Sequence, residues 1–408
     1  MSPSSPPMTA APRAENALLR LLAFGTAVSV SSIYLSQPIL NLLGGVLHAS
    51  IRQMGVVTTV TQIGYASGIV FLVPLGDIIA KKRLILAKLF LVCAALVLTG
   101  LSTNVAEMIA GSLAIGLCAT AAQDFLPLAA ELSPPERRGR AIGIVMSGLL
   151  LGILGSRVFS GIVAQAAGWR APFFAAGGLA LVIAFLVARR VPALPQSHAA
   201  TYPALMRSMG RLIVDQPLLI LSTVGQGLIG LTFSAFWSML SFYLGQPRFH
   251  LSPAAIGSFA LAGFAGAAMA PIAGRLADRH GPLFNIRAGI ALVAGSFASM
   301  LVWPDSLVGV AVAAALFDLG VQVAMVSHQT LIYSLEPSAR SRINAVYVGG
   351  LFGCFALGSF VASWAFARDG WTGVVLLCLG SCALAIVVHL VLSRQWHRHV
   401  ARPAPVAA

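Results

Sequence analysis

Residues 54–77 read MGVVTTVTQIGYASGIVFLVPLGD, and residues 256–278 read IGSFALAGFAGAAMAPIAGRLAD. Each opens on an apolar residue followed by glycine, runs without a charge until its last few positions, and closes through proline and glycine onto an aspartate. At 1.5 Å per residue, an apolar helix of roughly 20 residues crosses the ~30 Å hydrocarbon core of a bilayer. Both stretches therefore read as membrane spans that end in the same turn, about 201 residues apart. A second set of echoes has the same spacing. Arg138, Arg140, Gly148 and Gly168-Trp169 recur as Arg340, Arg342, Gly350 and Gly370-Trp371, 202 residues later. Two related halves in one orientation are the parallel-repeat plan, in which a solute sits at mid-depth between halves that rock.

Outward from these stretches the pattern continues. The chain has 408 residues, of which 58% are hydrophobic and only 9% charged, where soluble domains carry about 25% charge. Twelve apolar runs follow one another, near 17–43, 53–76, 84–102, 105–128, 141–166 and 171–188, then 217–244, 253–275, 284–303, 307–331, 343–366 and 372–393. They lack the short alternation of a barrel strand, and a lipid-exposed backbone must satisfy its own hydrogen bonds, so they read as helices. The division expected is a disordered tail at 1–16, a six-helix bundle at 17–188, a linker at 189–216, a second bundle at 217–393 and a tail at 394–408. In the linker, Leu205, Met206, Met209, Leu212 and Ile213 share one helical face opposite Arg207 and Arg211, so an amphipathic helix on the membrane surface and a plain polar tether both fit.

The formal charge of +14 invites a nucleic-acid reading, which the positions of the 26 Lys and Arg residues exclude. Alternate loops and the tails hold 21 of them, counting Lys88 with the Lys81–Arg83 cluster; the opposite loops hold Arg52, Arg170, Arg248 and Arg368, and Arg157 lies inside the fifth run. Such a bias puts the basic loops and both termini in the cytoplasm of a plasma or inner membrane and requires an even number of spans. The five cysteines all fall inside apolar runs and imply no disulfide framework; Cys378 and Cys382 share a helix face, yet no carboxylate or histidine pair accompanies them for a metal. The first run is too long for a cleaved signal. No Gly-x-x-x-x-Gly-Lys-Ser/Thr loop is present for ATP, and no nucleophile–base or metal constellation suggests an enzyme. A cofactor-free protein with the lipid bilayer and a small molecule as partners is expected, as a monomer.

Gly274-Arg275-Leu276-Ala277-Asp278-Arg279-His280-Gly281 resembles the signature that major facilitator transporters carry between helices two and three, here standing between eight and nine. With the repeat, the length and the topology, the resemblance covers essentially the whole chain. It implies an all-α integral membrane protein of twelve transmembrane helices in two six-helix repeats, the major facilitator fold. The first-half copy keeps Asp77 but has Ile78 and Ala80 where the signature has Arg and Gly. An aspartate at a helix end accepts hydrogen bonds from a neighbouring helix N-terminus, and the following arginine pairs with an acid. A gate on the basic side is thus expected from Asp77, Gly274, Asp278, Arg279 and Gly281 with Arg138 and Arg340; the alternative is that the charges serve only the positive-inside bias.

The fifth helix carries Gly143, Gly148, Gly152, Ser156, Arg157, Ser160 and Gly161, similar to the glycine pattern of the drug/proton antiporter branch, except that Arg157 stands where that pattern has proline. Gly148, Gly152, Ser156 and Ser160 recur every four residues and offer a smooth face. Helix eight offers Gly263, Ala267 and Pro271, or Gly266, Ala270 and Gly274, as the matching surface. An arginine inside the bilayer costs about 2.5–3.5 kcal/mol unless it is paired. Counted from the basic ends of their helices, Arg157 and Asp318 lie at about 25 and 27 Å and Asp124 at about 10 Å, so Asp318 is the expected partner. Asp318, Asp124 and Arg157 are the candidates for proton coupling; a permanent structural Arg157–Asp318 pair, with Asp124 in a surface network with Arg137 or Arg138, is the alternative.

What the resemblance implies about the cavity, together with the polar residues inside the runs, selects Tyr34, Gln37, Gln62, Tyr65, Gln123, Gln226, Trp237, Gln322, His328 and Asn344. Pro38 is expected to kink helix one beside Gln37. Amides and aromatics with few charges suit an amphiphilic or neutral solute. The function expected is proton-coupled efflux of a small amphiphilic drug or metabolite by alternating access, driven by the proton gradient; the alternative is proton-coupled uptake of a small organic solute or anion.

Overall fold

A computed structural model describes residues 12–192, 201–268, 281–336 and 339–400. Helix one is Pro12–Ser31 and, after a break, Leu40–Val46; two is Ile51–Phe71; three, Lys81–Gly100; four, Val105–Cys118 and Ala121–Glu131; five, Arg138–Ala167; and six, Ala171–Arg190. A linker helix, Tyr202–Asp215, leads to helix seven, Pro217–Leu244. Helix eight comprises Pro253–Ser258 and Ala260–Ala268, nine is Pro282–Val302 and ten is Leu307–Tyr333. Arg340–Val400 holds helices eleven and twelve, which part at Gly370 (φ 63°, ψ −148°).

Among the described residues nine helices are long and apolar enough to cross a membrane. Dividing the last at Gly370 and adding the shorter apolar segments Asn16–Ser31 and Pro253–Phe264 gives the twelve read from the sequence. Helix one starts at Pro12, inside the stretch expected as a tail, and helix twelve continues to Val400, past the expected stop at 393.

The duplication is written in the backbone. His48 and His250, 202 residues apart, both adopt φ 50°. Ser50 and Ser252 follow with the same extended geometry (φ −69°, ψ 159°), each capping the next helix by accepting a backbone N–H, from Gln53 and Ala255. Gly168 and Gly370 take positive φ (84° and 63°) at the ends of helices five and eleven, a conformation that a Cβ would strain.

Within the first half helix one packs on five, two on four, and three on six; within the second, seven packs on eleven and twelve, nine on ten, and eight on ten. The halves meet where helix two lies on eleven and helix five on eight. The smooth face of helix five does not serve the second of these contacts. A methyl group at Gly148 or Gly152 would collide with the backbone of Ala23 or Ala27, so this face docks helix one inside its own half. Helix eight is instead met by the far side of helix five: a Cβ at Gly161 would strike the Pro253 carbonyl, and one at Gly257 the Arg157 carbonyl. At about 100° per residue, Arg157 and Gly161 lie one turn apart on the side facing away from Gly148. Gly143 has open space around its Cα, and Ala267, Gly266, Ala270, Pro271 and Gly274 lie beyond the described side chains.

The linker helix buries Met209 and Leu212 and half-buries Leu205 and Met206, while Ile213 and its neighbour Val214 stay exposed, departing from the single face read from the sequence. Tyr202 Oη donates to the Phe71 carbonyl at 3.1 Å and ties the linker to the end of helix two.

Candidate functional site

Helix one stops at Ser31, and residues 32–36 turn before a short 3₁₀ segment, Gln37–Ile39. Pro38 has no N–H to continue the ladder, so carbonyls are released inside the bundle and need donors. Ser160 of helix five supplies one, its hydroxyl donating to the Leu35 carbonyl at 2.5 Å. The break turns Tyr34 and Gln37, both buried, toward helix five.

Arg157 meets them there. Its Nε donates to Gln37 Oε1 at 3.0 Å and its Nη1 to the Ile153 carbonyl at 3.0 Å. The guanidinium lies over the rings of Trp237 (4.4 Å), Tyr34 (4.8 Å) and Phe233 (5.5 Å). Aromatic faces carry negative charge density and hold a desolvated cation, which is how this residue is accommodated at 1% exposure. Two donors remain without an acceptor: Arg157 Nη2 and Gln37 Nε2.

Asp318 of helix ten is also buried, against the backbone of helix eight, where a Cβ at Gly263 would overlap its carboxylate. The direct Arg157–Asp318 ion pair expected from matched depths does not form. The indole of Trp237 touches both instead, its face under the guanidinium and its edge donating Nε1–H to Asp318 Oδ1 at 3.5 Å. Depth along a helix follows from residue count; which way around the helix a neighbour's bulk stands does not.

Asp124 is paired, and neither with Arg137 nor with Arg138. Its Oδ2 lies 2.5 Å from Lys88 Nζ, with both side chains 3% exposed. By sequence Lys88 groups with the surface charges Lys81–Arg83, yet it sits on the inner stripe of helix three with Ile85, Leu89 and Val92, all fully buried. That stripe was the signal for it. Nearby, Lys81 pairs with Glu131 across helices three and four, and Gly76, next to Asp77, packs beside the Asp124 carboxylate.

The other predicted residues fall into separate groups. Gln62 joins the halves: its Nε2 donates to Ser234 Oγ of helix seven at 2.9 Å and its Oε1 accepts from Ser359 Oγ of helix eleven at 3.1 Å. Thr59 adds a hydroxyl contact to Ser359 at 2.9 Å. Ser234, Ser359, Thr59 and Phe233 were not singled out from the sequence, because hydroxyls and rings are common in such helices and only partners give them meaning. Tyr65 accepts from Gln123 Nε2 at 3.1 Å, and its ring lies tilted against that of Phe352, centroids 4.6 Å apart. Gln226 donates to the Val321 carbonyl at 3.5 Å, and Gln322 is half-buried.

Two of the set stand apart from the central group. His328 is buried inside the second half beside Gly225 and Val388, and Asn344 accepts a hydrogen bond from Tyr333 Oη at 2.7 Å near the basic end. Of the expected gate, Gly274, Asp278 and Arg279 lie outside the described residues. Gly281 (φ 81°) precedes helix nine, Arg138 is exposed, and Arg340 Nε donates to the Tyr333 carbonyl at 3.3 Å. Among the described residues no group of three metal-ligating side chains forms.

The relationships agree with this architecture. The sequence profile of the Major Facilitator Superfamily matches residues 22–347 and again 224–407. The uncharacterized transporter YgaY of Escherichia coli O157:H7 is 35% identical over 385 residues, covering 94% of this chain and 97% of its own. The "Probable transporter SCO4007" of Streptomyces coelicolor is 33% identical, covering 95% of this chain and 87% of its own. A crystal structure of a bacterial homolog of the human lysosomal transporter Spinster, inward-facing and occupied, superposes with a TM-score of 0.76 over 97% of this chain and 100% of its own, at 14% identity. A duplicated helical bundle, charges buried where the halves adjoin and relatives matched over nearly their whole length converge: the chain belongs to the Major Facilitator Superfamily and is a multi-pass membrane transporter, not an enzyme.

Proposed function

We propose that this protein is a proton-coupled secondary transporter that moves a small amphiphilic solute across a cell membrane by alternating access, with Asp318 as the proton carrier. The observation that carries this reading is that Asp318 and Arg157 meet the same Trp237 indole, one at its edge and the other on its face, without pairing directly. A buried carboxylate held by one long hydrogen bond can lose or gain a proton without breaking a structural ion pair, and its charge still acts on the arginine. Rocking of the halves about the helix two–eleven and five–eight contacts exposes such a centre to one side at a time. One charge moving down 100 mV supplies about 2.3 kcal/mol, enough for a gradient of roughly fiftyfold. The basic loops are read as cytoplasmic.

Export is the direction that the helix-five resemblance favours. Uptake of a small organic solute or anion is the second reading, and the observation behind it is Arg157 itself, a cation with a spare donor at the centre of the bundle. The experiment is proton flux in proteoliposomes carrying an internal pH sensor, on addition of drugs, amino acids, nucleosides or organic acids. A solute-driven pH change that disappears in Asp318→Asn supports the proposal and its sign gives the direction; an unchanged response in that variant removes Asp318 from the carrier role.

A further inference from the structure

We infer that the central site binds an organic monocarboxylate, a planar aromatic or other apolar acid whose carboxylate sits between Arg157 and Gln37. This rests on reading the center of the bundle as the substrate site, and not on the direction of transport. Arg157 Nη2 and Gln37 Nε2 are both buried donors without an acceptor, on side chains already locked together by the Arg157 Nε to Gln37 Oε1 bond at 3.0 Å. An unsatisfied buried donor is costly, more so on a charged group, and two on adjoining side chains ask for an acceptor with two oxygens. A carboxylate meets that need: it accepts from a guanidinium with charge-assisted bonds and has a second oxygen for the amide. A neutral or cationic solute offers less, because the amide Oε1 is already used and the cation repels its like.

The surroundings select the rest of the ligand. Tyr34, Phe233 and Trp237 put three ring faces around the guanidinium, and Phe233 stacks on Phe355 at 5.4 Å. An aromatic body attached to the carboxylate extends that stack. Both donors are covered in this conformation, so the ligand enters as the rings move. Trp237 is bonded to Asp318 by a single long contact, and the Phe233 ring has no polar group to hold it. Asp318, at the edge of the indole, bonds to neither of the two donors.

The test is ligand binding to the purified full-length protein, read as quenching of tryptophan fluorescence and as a rise in apparent melting temperature. The probes are benzoate, 2-naphthoate and indole-3-acetate, each against its own amide and the corresponding amine. Binding of at least one acid, with its amide and amine at least tenfold weaker, is expected; Arg157→Gln should abolish it and Gln37→Leu weaken it severalfold, while Arg157→Lys retains part. Equal binding of acid and amide, binding of the amines alone, no binding of any acid, or acid binding undiminished in Arg157→Gln overturns the inference. The acid–amide comparison uses the wild-type protein, so it stands even if a variant fails to fold. Acid binding without proton flux would defeat the coupling reading alone; proton flux driven only by neutral or cationic solutes would defeat this inference alone.

Discussion

Among its described residues the protein buries two carboxylates in the membrane region, Asp124 and Asp318, and treats them differently. Asp124 is bonded directly to Lys88 at 2.5 Å, both side chains sealed at 3% exposure, within one half of the molecule. Asp318 lies among helices of the other half and shares the Trp237 indole with an arginine contributed by the first, without bonding to it directly. A closed pair inside one rigid half has nothing to gain from motion between the halves. An acid and a cation that belong to different halves change their relation whenever the halves rock. The first arrangement holds helices three and four together, and the second is the one on which the proposed coupling rests.

That contrast is open to attack, most forcefully at Lys88. Removing one partner of a sealed ion pair strands the other charge at a cost of about 3–5 kcal/mol, whereas removing both is far milder. Lys88→Met should therefore lower thermal stability sharply, and Lys88→Met with Asp124→Leu should restore most of it; a single variant as stable as wild type would break the comparison. Arg157→Gln should be milder in stability, about 1–2 kcal/mol from its two hydrogen bonds, while reducing transport at least about tenfold. A melting curve set beside a transport assay checks that inversion between the two sites.

Asp318→Asn mimics the protonated acid permanently. Its stability should change little, but the pH dependence of transport should flatten, with solute movement no longer enhanced by an imposed proton gradient. Trp237→Phe keeps a ring over Arg157 and removes the bond to Asp318, an effect of about 0.5–1.5 kcal/mol, visible as a shifted pH profile with transport retained. The smallest effect belongs to Lys81→Ala, whose pair with Glu131 is partly exposed, at 19% and 43%; about 0–1 kcal/mol is expected, so a large loss there would mean that the gate network is more than a surface bridge.

Several site residues were legible beforehand because the bilayer makes polar side chains conspicuous. Arg157, Asp318 and Asp124 stood out as charges within apolar runs, and Pro38 announced the break that presents Gln37. Lys88 was misread because it lies seven residues from Lys81, close enough to the loop to count as surface, although its neighbours Ile85, Leu89 and Val92 mark an inward stripe. The small face of helix five was legible as a packing surface, but its partner was not: Gly148 and Gly152 dock on helix one, and Gly161 one side further round meets helix eight. Ser234 and Ser359 gained meaning only with Gln62 between them.

Composition, span length, charge bias and the 202-residue echo determine by themselves that this is a duplicated helical membrane protein, because burying a backbone in lipid admits few solutions and a repeat can be seen without coordinates. The pairing of its buried charges belongs to the tertiary structure. A helix's residue count gives depth in the membrane, while contact depends on rotation about the helix axis and on the neighbours that offer themselves, and here an indole from helix seven takes up Arg157 on its face and Asp318 at its edge in place of a direct pair.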